Sequence, residues 1–294
     1  MTSPLADPLP PPPPTAPAAF GFDAFSPQEV AERIEGLGVA KARLPLAPML
    51  LLAVLAGAYI GFGSLFFLLV TSDPSLPFAA ARVLGGLVFS LGLLTVVVAG
   101  AELFTGNHLL AMAWGDGRLR TGEVLRNWAV VCAGNALGAG LLALAVAGAD
   151  LGAMNGGRLA QQALKVAAAK AALPWDVALL RGVLCNVLVC LAVWMAAAGR
   201  SVVDKAVAVV PPVTAFVALG LEHSVANFFF FPLALLMEPT AAAAEAAPTA
   251  VVLPPAPTVA ALLTNLGPVI AGNLLGGSVL VAGVYWVVYR RQSA

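Results

Sequence analysis

Two stretches of this chain place glycine, a carboxylate and an amide in the same order within otherwise apolar sequence. Gly100-Ala101-Glu102-Leu103-Phe104-Thr105-Gly106-Asn107-His108 and Gly220-Leu221-Glu222-His223-Ser224-Val225-Ala226-Asn227 both read Gly-x-Glu-x-x-x-x-Asn. In apolar surroundings such groups are costly unless they face protein or a water-lined cavity. The two glutamates suit one of two tasks: capping backbone N–H groups freed where a helix breaks, or serving a solute path directly. Their recurrence in both stretches favours the brace. His223 has no such counterpart, because Leu103 holds the matching place. Histidine can donate, accept or carry charge near neutral pH, so His223 is suited to meet a small anion with a hydrogen bond or a proton. Thr105 and the backbone N–H groups of the first stretch are candidate donors from the other side. Asn186 and Asn273 are candidate orienting partners of His223.

Other chemistry is poorly served. Cys132, Cys185 and Cys190 lie inside apolar runs without metal-like spacing to histidine and read as small core residues. Two scattered histidines without clustered carboxylates give no metal site, no cofactor site and no nucleophile set for an enzyme. Lys plus Arg equals Asp plus Glu at 15 each, so net charge gives no reason to expect nucleic acid as a partner.

The elements that would position these groups are membrane helices. The chain is 60% hydrophobic and only 10% charged, against about 25% charged in soluble domains. A crossing takes about 20 predominantly apolar residues, and six segments qualify: 46–70, 83–113, 127–148, 177–198, 206–237 and 258–289. The second and fifth are too long for one straight crossing and contain the two polar stretches. A further pair, Gly134-Asn135-Ala136-Leu137-Gly138 in the third and Gly272-Asn273-Leu274-Leu275-Gly276 in the sixth, reads Gly-Asn-x-Leu-Gly. Segments one to three therefore resemble four to six, and halves that each cross an odd number of times sit inverted in the bilayer. The expected fold class is an all-α integral membrane protein of six helices in two inverted three-helix repeats, with helices two and five broken.

Residues 1–24 read as a disordered Pro-rich tail with no charged region ahead of an apolar one, unlike a signal peptide. Residues 25–45 hold a short amphipathic helix, from about 27 to 43, opened by the capping box Ser26-Pro27-Gln28-Glu29; it is either a surface anchor or a mobile plug. The channel domain spans 46–291, with an Ala/Pro-rich external loop at 238–257. Lys41, Arg43, Arg118, Arg120, Arg126, Arg200, Lys205, Arg290 and Arg291 fall on one side of this arrangement. Arg82, Arg158, Lys165, Lys170 and Arg181 fall on the other. The richer side is expected in the cytoplasm, with both termini, in a multi-pass protein of the cell membrane.

Glu102-Leu103-Phe104-Thr105-Gly106-Asn107, Arg181-Gly182-Val183-Leu184-Cys185-Asn186 with Cys190-Leu191-Ala192-Val193-Trp194, Glu222 to Asn227, and Asn265-Leu266-Gly267-Pro268 with Gly272-Asn273 resemble the formate/nitrite transporter family. The resemblance runs from about residue 25 to 290. It implies an aquaporin-like fold assembled as a homopentamer, one pore per protomer. It also implies His223 as the central histidine, with Thr105 on the facing loop and Asn186 and Asn273 as buried asparagines near it. Lys170 would be a vestibule lysine, with Glu222 in the same polar network. The apolar constrictions would be Phe89, Leu93, Leu103, Val189 and Phe216. Two features depart from the family: His108 after Asn107, which bears on pH response, and the composition of the loop after Met237.

The function expected is passive or proton-coupled passage of a small monovalent anion or weak acid, with formate preferred over nitrite, hydrosulfide and lactate. Lys170 attracts the anion. A bare charge at membrane centre costs a few kcal/mol or more, so the acid either takes a proton and crosses neutral, sharing the proton of His223, or crosses as an anion past a cationic His223. A neutral-solute channel of the same shape would carry two Asn-Pro-Ala signatures, and the chain contains no Asn-Pro.

Overall fold

The computed structural model describes residues 24–237 and 257–290, and every regular element among them is helical. The chain runs through α1 (Pro27–Ala42), α2 (Leu46–Thr71), α3 (Phe78–Thr95) and, after an interruption, α4 (Leu110–Gly115) and α5 (Thr121–Gly148). There follow α6 (Arg158–Ala171), α7 (Trp175–Ala198), α8 (Val202–Ala218), α9 (Ser224–Leu236), α10 (Val259–Leu274) and α11 (Val284–Tyr289). A π-helical stretch, Val96–Gly100, extends α3, and another, Leu275–Gly283, joins α10 to α11.

Five helical stretches among the described residues are long and apolar enough to cross a membrane: Leu46–Thr71, Phe78–Gly100, Thr121–Gly148, Trp175–Ala198 and Val259–Tyr289. The expected fifth segment, 206–237, is instead divided between α8 and α9, of 17 and 13 residues. Its polar stretch begins between them, in residues 219–223, and ends in the first turn of α9 at Asn227. In the same way helix stops after Gly100 and resumes with a 3₁₀ turn at Gly106–Leu109. Gly100 and Gly220, at φ +80° and +70°, take the left-handed conformation that releases the chain from a helix. Two expected starts were late: α3 begins at Phe78 rather than 83, and α5 at Thr121 rather than 127. The polar opening of α5, Thr121-Gly122-Glu123, concealed its start, and Arg82 concealed the first turn of α3. The Pro-rich tail through residue 23, nearly all of the 238–257 loop and Arg291 lie outside the described residues.

The Gly-Asn-x-Leu-Gly pairs owe their glycines to packing. A Cβ on Gly138 would collide with the carbonyl of Val54 on α2, and one on Gly276 with the carbonyl of Val183 on α7. Gly272 meets the carbonyl of Leu179 in the same way. Small residues let helix backbones approach where lipid supplies no hydrophobic drive, so α5 lies tightly on α2 as α10 lies on α7.

The helix expected near the N-terminus is α1. Ser26 caps it, with the Glu29 carboxylate accepting from the Ser26 N–H at 2.7 Å. It is no loose surface anchor. Val30, Ala31, Ile34 and Gly38 are buried, and the fully buried Glu35 accepts from Arg290 Nε at 3.0 Å and Arg118 Nη1 at 3.4 Å. Burial pushes the Glu35 carboxyl above its ordinary range, while Arg290 and then Arg118 pull it down. The helix α6 was not expected. Its buried Leu159, Ala163, Leu164 and Ala167 recur at helical spacing, and it ends beside Lys170.

Candidate permeation site

Where helix is interrupted, backbone groups lose their partners, and two asparagines supply replacements. Asn135 Oδ1 accepts from the Phe104 N–H at 2.8 Å, while its Nδ2 donates to the carbonyls of Ala53 (2.7 Å) and Glu102 (2.9 Å). Asn273 repeats the pattern: Oδ1 accepts from the Ser224 N–H at 3.0 Å, and Nδ2 donates to Gly182 and Glu222 carbonyls, both at 2.9 Å. Both asparagines are fully buried. A primary amide offers two donors and an acceptor, so each fastens an interruption to a neighbouring helix.

The glutamate carboxylates accept from side chains rather than from backbone N–H groups. Glu222 accepts from Lys170 Nζ at 2.8 Å and Asn227 Nδ2 at 2.8 Å. Asn227 Nδ2 also reaches Asn265 Oδ1 at 2.9 Å, and Asn265 Nδ2 returns to the Lys170 carbonyl at 2.9 Å. The other half has the same closed set. Glu102 accepts from Lys41 Nζ (2.8 Å) and Asn107 Nδ2 (2.7 Å), Asn107 Nδ2 reaches Asn127 Oδ1 (3.0 Å), and Asn127 Nδ2 returns to the Lys41 carbonyl (3.3 Å). Lys41 is thus the counterpart of Lys170. The sequence reading missed it because it lies on α1, apart from both repeated motifs; its only signal was its place near that helix's end.

His223 caps the N-terminus of α9, its Nδ1 accepting from the Ala226 N–H at 3.1 Å. Its Nε2 lies 3.0 Å from Thr105 Oγ1, and its ring stacks on Phe216 with centroids 5.7 Å apart. Because Nδ1 accepts, the neutral ring carries its proton on Nε2 and donates it to Thr105. The threonine hydroxyl keeps its own hydrogen for another acceptor. His223 is 3% exposed and Thr105 fully buried.

His223 lines one cavity, and Leu103 and Gly106, close to Thr105 in the chain, line a second. The first, of about 180 Å³, is lined by His223, Glu222, Lys170, Phe89 and Phe216 among others. The second, of about 410 Å³, is lined by Lys41, Glu102, Leu93, Leu103 and the α1 residues Arg33, Ile34, Leu37 and Gly38. The expected constriction residues therefore divide. Phe89 and Phe216, edge to face at 5.7 Å, border the His223 cavity; Leu93 and Leu103 border the other; Val189 is buried and borders neither.

Neither Asn186 nor Asn273 hydrogen-bonds the His223 ring, whose partners are Thr105 and the Ala226 N–H. Asn273 holds backbone on both sides of His223, as described. Asn186 Nδ2 lies 2.7 Å from the Asn273 carbonyl, 3.2 Å from the Thr105 carbonyl and 2.7 Å from His108 Nδ1, so it positions the threonine that faces His223. His108 is fully buried between Phe104 and Trp128, both edge to face with it.

This geometry has relatives. The family model for the formate/nitrite transporter matches residues 28–287. The chain is 38% identical over 278 residues to the formate channel FocA of Escherichia coli (strain K12), covering 92% of this chain and 97% of that protein. It is 34% identical over 291 residues to a probable formate transporter of Methanothermobacter thermautotrophicus, covering 93% and 100%. Among solved structures it superposes on a pentameric formate channel with formate bound at a TM-score of 0.78 and 35% identity, covering 83% of this chain and 97% of that one. An FNT family ion channel matches at a TM-score of 0.74 and 29% identity, covering 88% and 98%. Helices, motifs and relatives agree that the chain belongs to the formate/nitrite transporter family.

Proposed function

We propose that this protein is a multi-pass membrane channel that carries formate, or an anion of similar size and charge, between the two cavities through the His223–Thr105 contact. The observation that carries the reading is that contact itself: one imidazole and one hydroxyl, both buried, hydrogen-bonded between two charged cavities. The relatives named as formate channels favour formate over nitrite, hydrosulfide and lactate.

In the mechanism, the anion enters a cavity whose lysine is already paired with a glutamate, and meets the apolar ring of Phe89 and Phe216, or of Leu93 and Leu103 from the other side. At the centre His223 donates from Nε2 and Thr105 from Oγ1. His223 lends a proton only in its doubly protonated form, which must give up the Nδ1 bond to Ala226, because protonated Nδ1 is a donor. The proton lowers the charge that crosses the apolar rings. No bond of the solute is made or broken apart from this O–H, which separates the protein from an enzyme.

The matching hydrogen-bond patterns of Asn135 and Asn273, and of Glu102 and Glu222, each with its own partners, support two inverted three-helix repeats in which α3–α4 and α8–α9 are the broken second and fifth helices. The pentameric relative supports a homopentamer, and the excess of Lys and Arg on the α1 side supports cytoplasmic termini. Transport is tested by proteoliposome uptake of formate, nitrite, hydrosulfide and lactate. Formate is expected to enter fastest, and absence of uptake for all four anions would refute the reading. Orientation is tested by cysteine labelling in cells. Arg158→Cys, exposed on α6, should react with an impermeant reagent from outside, and Arg120→Cys only after permeabilisation. The reverse pattern would overturn the topology.

A further inference from the structure

The cavity beside His223 holds more positive charge than its ion pair consumes. Arg82, Lys170 and Arg181 line it, with Glu222 as its single carboxylate. Lys170 is bound to Glu222 at 2.8 Å, with the two side chains 15% and 2% exposed, so little of its charge is left to attract a solute. Arg82 closes the end of α8, its Nε donating to the Ala218 carbonyl at 2.8 Å and its Nη2 to the Val217 carbonyl at 3.1 Å. A Cβ on Gly220 would stand 2.7 Å from that Nη2, so the glycine leaves room for the guanidinium.

Arg181 differs from both. Its backbone carbonyl accepts from the Glu222 N–H at 3.3 Å, which fixes its place at the edge of the interruption. Its side chain, partly exposed at the cavity wall, makes no hydrogen bond or ion pair with any described residue. Arg82 and Arg181 line the same cavity, so two like charges face it together. Two like charges facing one cavity, neither of them in an ion pair with a carboxylate, are an unfavourable arrangement that an entering anion relieves.

We propose that Arg181 is the docking group for the solute at this cavity, with Arg82 adding charge behind it. We propose further that Arg181 selects planar anions with two oxygens, such as formate and nitrite, over hydrosulfide. The guanidinium presents parallel N–H donors at the spacing of two carboxylate oxygens, and a single sulfur can engage only one. A lysine in its place would attract both anions as a point charge without the fork. The proposal rests on the transport reading above and deepens it by assigning the solute's first contact.

The test uses the full-length protein in proteoliposomes, with initial rates measured against formate and hydrosulfide at ionic strengths of roughly 0.01 M and 0.3 M, which bracket strong and weak screening. Arg181→Gln is expected to raise the KM for formate about five- to tenfold at low salt, the loss of one charge-assisted, partly solvated contact. The effect should shrink at high salt, Vmax should stay within about twofold, and the KM for hydrosulfide should rise less. Arg181→Lys is expected to restore much of the low-salt KM for both anions without restoring the preference for formate. An unchanged formate KM in Arg181→Gln would overturn the docking assignment, and equal rises for the two anions would overturn the selectivity. If Arg181→Gln fails to assemble, Arg181→Lys decides alone: a full wild-type preference for formate overturns the fork, and its loss supports it. Wild-type protein that moves neither anion would instead sink the transport reading, so the two failures are distinguishable.

Discussion

Replacing His223 with Asn or Gln is expected to leave an assembled oligomer whose formate flux no longer depends on pH. Both amides offer an acceptor for the Ala226 N–H, and Asn is among the preferred N-cap residues, so the start of α9 survives. Both can still donate toward Thr105. Neither can carry a transferable proton near neutral pH. Wild-type flux should rise as pH falls, because only the doubly protonated ring lends a proton. The variants should show a flat profile, with flux reduced about tenfold or more, the loss of about one strong hydrogen bond to a charged group. Solute flux from roughly pH 5 to pH 8, the range in which histidine titrates, is the readout, with size-exclusion chromatography confirming assembly. A His223→Gln protein with the wild-type pH profile would reduce His223 to a packed polar residue.

Losing either strap asparagine should do more damage, and to assembly rather than to transport. Asn273→Leu leaves the Ser224 N–H and the carbonyls of Gly182 and Glu222 without their amide partner. Asn135→Leu does the same to Phe104, Ala53 and Glu102. An unsatisfied buried polar group costs about 1–3 kcal/mol, so three cost about 3–9 kcal/mol, within the range of a whole domain's stability at about 5–15 kcal/mol. Little or no monodisperse oligomer should be recovered from either variant. The comparison separates two roles. If these residues brace backbone, the two losses are alike; if Asn273 mainly orients His223, Asn135→Leu assembles normally while Asn273→Leu assembles but loses flux.

Much of this was legible in sequence because membrane burial restricts where polar residues can stand. A Glu and an Asn five positions apart inside apolar runs mark a place where polar groups must find partners, and the set occurs twice. The capping box at Ser26 and Glu29 announced α1, and the apolar runs announced the long helices. What stayed hidden depends on contacts between distant segments. Nothing local tells that Lys41 answers Lys170, since one lies on an amphipathic helix before the first crossing and the other at the end of α6. Asn186 lay in a quoted motif, but its contact with the Thr105 carbonyl needs α7 to pass beside residues 101–105. The charge balance of the His223 cavity was equally hidden, because it depends on which cations are already paired.

The closed hydrogen-bond sets around Glu102 and Glu222 have a consequence for engineering. Since nearly the same brace is built twice and only one copy bears an imidazole directly after its glutamate, the protein contains its own reference site. Leu103 occupies the place in its copy that His223 occupies in the other, on a backbone fastened by an equivalent asparagine. Leu103→His would graft a second imidazole onto a prepared support, and the unaltered His223 copy would report whether the scaffold tolerated it. Two similar hydrogen-bond sets leave one free to vary its neighbouring residue while the other is left as it stands.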